Sequence, residues 1–171
     1  CENLERAYQT GNDMVARKNM LHAAYLAGGA FSKSYVGYCH AVAHSLGGRY
    51  NISHGLANAV LLPYVLESYG SSIHQAAKNI AIAMGLANNA TPAKSATRQL
   101  ITHIRQMNAN MGIPTTLSCI RQEDIAQLAA YAEKEANPLY PVPVLMTRKH
   151  LERFYYNVME DHHDKSSDRR D

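Results

Sequence analysis

The stretch from Gly37 to Pro63, GYCHAVAHSLGGRYNISHGLANAVLLP, decides how the rest of the chain is read. It holds His40, His44 and His54, three of the nine histidines. His40 and His44 are four residues apart, so a helix sets both imidazoles on one face, one turn above the other. Gly47 and Gly48 offer a place for that helix to stop and turn. His54 follows ten residues after His44, where a new apolar run begins. A helix, a reversal and a second helix would return His54 to the first pair. Imidazole is a good ligand for transition metals, so this is a recipe for a metal site; the plainer reading is three ordinary polar histidines. Spacing alone leaves open which of the three bind.

Outward from that stretch, the chain reads as one helical domain. Its 171 residues are enough to bury about two thirds of their unfolded surface. A hydrophobic content of 46% suits a packed soluble core. The formal charge of +3 is too small to argue for nucleic acid. No apolar run reaches the length of a membrane span. Cys1, Cys39 and Cys119 form an odd, sparse set without CxxC spacing, which points to a reducing compartment and a cytoplasmic protein.

Asn12 or Asp13 can cap a helix from Met14 to Lys33, interrupted by the small run Ala27-Gly28-Gly29-Ala30. Glycine weakens a helix but lets another backbone approach, so that run is placed against the histidine helix, Tyr35 to Leu46. A helix from His54 to Ser68 contains Pro63 and ends at Gly70. Further helices run from Ser71 or Ser72 to Met84, from a Thr91 cap with Pro92 at the first position to Met111, from Glu123 to Ala136, and from a Thr147 cap to Met159. Three prolines break Asn137-Pro138-Leu139-Tyr140-Pro141-Val142-Pro143. Nothing alternates with period two for long enough to make a sheet. The expected fold is all-α, an orthogonal bundle of about seven helices over residues 1–160, with a disordered polar tail at 161–171.

The opening stretch resembles the signature of the iron-containing (group III) alcohol dehydrogenases, G-x-x-H-x-x-A-H-x-x-G, five residues, then P-H-G and, six residues on, L-P. The matching positions are Gly37, His40, Ala43, His44, Gly47, His54, Gly55, Leu62 and Pro63. Ser53 stands where the family usually has Pro, and either residue suits a helix start. The NPLYPVP loop, Asn137–Pro143, is similar to the family's closing segment.

The resemblance implies a C-terminal, metal-binding helical domain partnered by an N-terminal nucleotide-binding domain. It implies Fe(II), or Zn(II), held by one Asp and three His, two of which match His40 and His54. The metal acts as a Lewis acid on the alcohol oxygen while hydride passes between carbon and NAD(P). His44 matches a residue beside nicotinamide and substrate, a catalytic proton-relay or positioning group, and Phe31 matches an aromatic of the substrate pocket. The other two ligands belong to an upstream D-x-x-x-H motif. Neither that motif nor a Gly-rich phosphate loop occurs here, and the chain opens in helix-like sequence at Cys1, as the middle of a longer polypeptide would. The expectation is half a metal site, NAD(P) bound by the missing domain, and no activity from this piece alone. The substrate is a small alcohol or aldehyde. The expected partner is a second copy, associating through the histidine face rather than the Glu123–Ala136 helix.

Other candidates read as structural. His22, His74, His103 and His150 have polar surroundings, and His162-His163 is a weak two-imidazole tail. Cys39 points about 100° from His40 on a helix and reads as core, as do Tyr35 and Tyr38. One rival, a non-enzymatic helical binding or scaffold module, predicts scattered histidines. Another, a zinc hydrolase, needs a carboxylate base, and no Asp or Glu lies between Asp13 and Glu67.

Overall fold

The computed structural model describes residues 2–160; the expected disordered tail and His162-His163 lie outside the described residues. The chain is all-α. Seven helices of ten or more residues follow one short helix: α1 (Leu4–Gln9), α2 (Met14–Ser34), α3 (Tyr38–Tyr50), α4 (His54–Tyr69), α5 (His74–Ala83), α6 (Ala93–Asn110), α7 (Ile125–Ala136) and α8 (Arg148–Val158). The described residues include no strand, only a single parallel bridge between Leu117 and Met159.

The histidine helix α3 forms the centre. Tyr38, Ala41, Val42 and Leu46 recur at the spacing of one helical stripe, and all are fully buried against α4, α7 and α8. Facing residues from α7 (Leu128, Ala129, Ala132) and α8 (Leu151, Phe154, Tyr155) complete the core. Tyr155 keeps its hydroxyl satisfied there: it meets Ser45 Oγ at 2.7 Å and donates to the Leu128 carbonyl at 3.1 Å, tying α3, α7 and α8. A smaller core, Ala77, Ala81, Ala96 and Leu100, pairs α5 with α6. Pro63 has no N–H to give to the Ala59 carbonyl one turn back; Asn108 of α6 donates there instead, at 2.7 Å.

Several boundaries differ from the sequence reading. Gly47 and Gly48 do not end α3; the helix continues to Tyr50 and closes at Asn51, whose φ of 54° is the left-handed conformation that Asn tolerates. Ser53 sits at the N-cap of α4 but makes no capping hydrogen bond with its side chain. Thr91 does not cap α6: its hydroxyl is engaged with Asn88 in the preceding turn, and Pro92 takes the cap position. Asp13 caps α2 by accepting from Ala16 N–H. His150 is exposed as expected and completes a capping box with Thr147.

Helix α2 departs most. It packs on α1, and a Cβ at Gly28 or Gly29 would meet nothing within 4 Å, so the small run is not pressed against the histidine helix. Of its 21 residues only Ala16 is buried. Tyr35, expected to pack, is exposed at the end of α2 with φ 61°. Tyr38 is buried as expected.

Candidate metal and catalytic site

His40 and His44 lie on one face of α3, as four-residue spacing requires. The turn at Asn51–Ser53 then reverses the chain, and His54 opens α4 beside them. The His40 and His54 rings are 5.3 Å apart between centroids, His44 and His54 5.1 Å, and His40 and His44 6.1 Å. The three imidazoles converge, against the expectation of a module whose histidines are scattered.

Their environments differ. Burial, and then the adjacent His54 and His44 rings, hold the His40 imidazole below its ordinary range, while Glu135 acts in the opposite sense. A neutral imidazole keeps the lone pair a metal needs. His54 is exposed, with the Asn58 amide against it: Asn58 Nδ2 donates to the His54 carbonyl at 2.9 Å and lies 3.2 Å from His54 Nε2. Asn58 Oδ1 is buried without a partner among the described residues. His44 is already engaged, its Nδ1 2.7 Å from Glu135 Oε1. Among the described residues no three His, Cys, Asp or Glu side chains are grouped to hold a metal ion by themselves. The donor chemistry of His40 and His54 fits part of a coordination shell and no more.

Glu135 is the residue sequence reasoning missed. It lies 91 positions beyond His44, at the end of α7, and reaches the site because α7 packs along α3. Tyr140, in the NPLYPVP loop, donates to the same Oε1 at 2.7 Å. Burial, and then the carboxylate it faces, pushes the Tyr140 hydroxyl up to about 12. The only sequence signal was the position of Glu135 just before that loop. With it, the argument against a nearby carboxylate fails, and α7 proves to border the histidine face rather than stand apart from it.

A cavity of about 540 Å³ continues from His44 along the groove between α3 and α7, past Arg49, Asp124, Tyr131 and Glu135. Arg49 forms a fork on Asp124, with contacts of 3.1 and 2.9 Å, and Tyr50 donates to the same carboxylate at 2.8 Å. Cys39 is half-buried against the core, makes a long contact of 3.6 Å to the Asn58 carbonyl, and has its thiol pushed up to about 12 by burial, so it packs with the core as expected. Phe31 lies on α2 and is exposed.

Residues 1–159 match the family model described as "Fe-containing alcohol dehydrogenase family, C-terminal". The chain is 37% identical over 137 residues to a 1,3-propanediol dehydrogenase of Citrobacter freundii, covering 79% of this chain and 35% of that one. It is 38% identical over 116 residues to an NADPH-dependent butanol dehydrogenase of Clostridium saccharobutylicum, covering 68% and 29%. The fold superimposes on a crystal structure of a 1,3-propanediol oxidoreductase with a TM-score of 0.86 and 31% identity, over 92% of this chain and 42% of that one. The chain thus spans about a third of the length of these curated relatives. With the signature histidines gathered at one site and the match running through nearly the whole chain, this protein belongs to the iron-containing alcohol dehydrogenase family, of which it carries the C-terminal helical part.

Proposed function

We propose that this chain is the metal-binding C-terminal part of a nicotinamide-dependent alcohol dehydrogenase. It would act on a small alcohol, oxidising it to an aldehyde or ketone, or catalyse the reverse. Residues 2–160 form the helical domain, and NAD(P) is held by a nucleotide-binding domain outside it. The observation that carries this reading is the convergence of His40 and His54, with His44 stacked beside them.

In this reading His40 and His54 supply two donors to Fe(II) or Zn(II), and the remaining donors come from outside the described residues. The metal would supply Lewis-acid polarisation of the alcohol oxygen. His44 is taken as the catalytic group beside the substrate rather than a ligand, as the family resemblance implies; with Glu135 on its Nδ1, its other nitrogen accepts or returns the substrate proton. Phe31 contributes an apolar wall to the substrate pocket. The names of two relatives, which act on propanediol and butanol, support a short alcohol. A homo-oligomer in the cytoplasm fits the family and the sparse cysteines.

The test is to co-express this chain with the N-terminal remainder of the Citrobacter 1,3-propanediol dehydrogenase and supply Fe(II). The wild-type pair should oxidise short alcohols with nicotinamide reduction, and His54→Ala should abolish it. A pair that assembles and holds metal but turns over no alcohol would sink the dehydrogenase reading.

A further inference from the structure

Glu135 Oε1 sits where two hydrogen bonds meet, and their polarity can be worked out. An ionised carboxylate only accepts. The Tyr140 phenol, at 2.7 Å, is therefore a donor. His44 Nδ1, also at 2.7 Å, must carry a proton to approach the same oxygen so closely. In a neutral imidazole the second nitrogen is then the acceptor. His44 Nε2 has no hydrogen-bond partner among the described residues, so its lone pair is available to a substrate.

The placement is built rather than incidental. Glu135 is the penultimate residue of α7, between Ala132 and Ala136, both fully buried against the core, so the backbone beneath it is fixed relative to α3. Tyr140 holds the carboxylate from the loop side. The same loop is tied to α3 by Tyr38, whose hydroxyl donates to Asn137 Oδ1 at 2.6 Å. Helix and loop thus hold the carboxylate from two sides beside the exposed His44 ring.

We infer that Glu135 is a positioning residue: with Tyr140 behind it, its carboxylate locks His44 in the Nδ1-protonated tautomer and presents Nε2 as the proton acceptor. This rests on the reading of His44 as the group beside the substrate for its consequence, but not for its geometry. Glutamate is needed rather than glutamine, because a carboxylate cannot donate and so cannot stabilise the opposite tautomer.

The experiment is nitrogen-15 NMR of the histidine side chains of this chain, without metal, at about pH 8, above the ordinary imidazole range. In wild type His44 should carry its proton on Nδ1, with Nε2 bare. In Glu135→Ala the ratio of the two tautomers should fall by about tenfold or more toward that of an exposed imidazole, the margin a charge-assisted hydrogen bond supports. Glu135→Asp, which keeps the carboxylate but draws it back, should restore part of the preference. A wild-type His44 protonated on Nε2 overturns the inference by itself, even if the alanine variant does not fold. An unchanged tautomer in a folded Glu135→Ala overturns it equally. Because no turnover is measured, this result stands apart from the co-expression test: loss of the tautomer preference with no dehydrogenase activity would fell the functional reading and leave the role of Glu135 intact.

Discussion

His54 stacks on His44, with ring centroids 5.1 Å apart and planes 24° from parallel, although a helix end, a turn and ten residues separate them. The contact sets His54 close to both α3 histidines, with its ring also 5.3 Å from that of His40, the partner proposed to share an ion with it. Two imidazoles leave most of a coordination shell to water. Protein purified without added metal should therefore contain well under one equivalent of Fe or Zn by elemental analysis. Added Zn(II) should perturb the His40 and His54 imidazole resonances first, and His54→Ala should remove that response. A full equivalent retained through purification would mean that a second copy completes the shell.

Helix α2 presents Leu21 (75% exposed) and Tyr25 (78%) to solvent. Leu21 and Tyr25 are one turn apart and share a face. Contiguous apolar surface of this kind tends to find a partner. In solution a second copy should cover it, giving a concentration-dependent mass above that of the monomer by light scattering. Leu21→Asp and Tyr25→Asp should each shift the population to monomer without loss of helical signal. A wild-type monomer at every accessible concentration would show that α2 does not drive association.

Asp124 gives a pH signature. The Arg49 fork, and then the Tyr50 hydroxyl, hold its carboxyl below the ordinary 3.8, with burial acting the other way. A carboxyl depressed in the folded state contributes stability that is present above the unfolded value and lost as pH falls through the folded one. Wild type should therefore resist urea better than Asp124→Asn at pH 7, and the gap in midpoint should close as the pH drops below about 4. A gap independent of pH would mean that Asp124 acts through shape rather than charge.

Most of the helix order was legible because it rests on local signals. Asp13, Gly70 and Thr147 act where side-chain chemistry and φ preference place them. The His40–His54 proximity was legible too, since a helix, a short reversal and a helix start leave little choice of geometry. Three features were not. The Gly47-Gly48 pair reads as a stop, but buried Leu46 and the left-handed Asn51 carry the helix past it. The Gly28-Gly29 run reads as a packing site, yet sequence cannot say whether the approaching backbone lies in the same chain. Glu135 enters the site through tertiary packing of α7 on α3, for which a separation of 91 residues carries no periodic trace.

The loop that carries Tyr140 depends on a hydroxyl buried at the start of α3. Tyr38 is fully enclosed. Its hydroxyl donates to Asn137 Oδ1 at 2.6 Å and accepts from Met146 N–H at 2.9 Å, while Asn137 Nδ2 donates to the Met146 carbonyl at 2.9 Å. Both ends of the 137–146 segment are thus pinned to one atom of the histidine helix. Tyr38→Phe keeps the ring packing but leaves a buried Met146 N–H and an Asn137 oxygen without a partner. An unsatisfied buried polar group costs about 1–3 kcal/mol, so the variant should lose about that much in urea unfolding. The loss should be uneven: amide exchange should quicken first across Pro138–Met146, where the pin is removed, and only later in α3, whose own hydrogen bonds are untouched. Because Tyr140 rides on that segment, the Glu135–Tyr140 contact should loosen with it, and the His44 tautomer ratio should fall by less than in Glu135→Ala. Uniform acceleration of exchange through the whole domain would show that Tyr38 supports the core as a unit rather than the loop that backs the site.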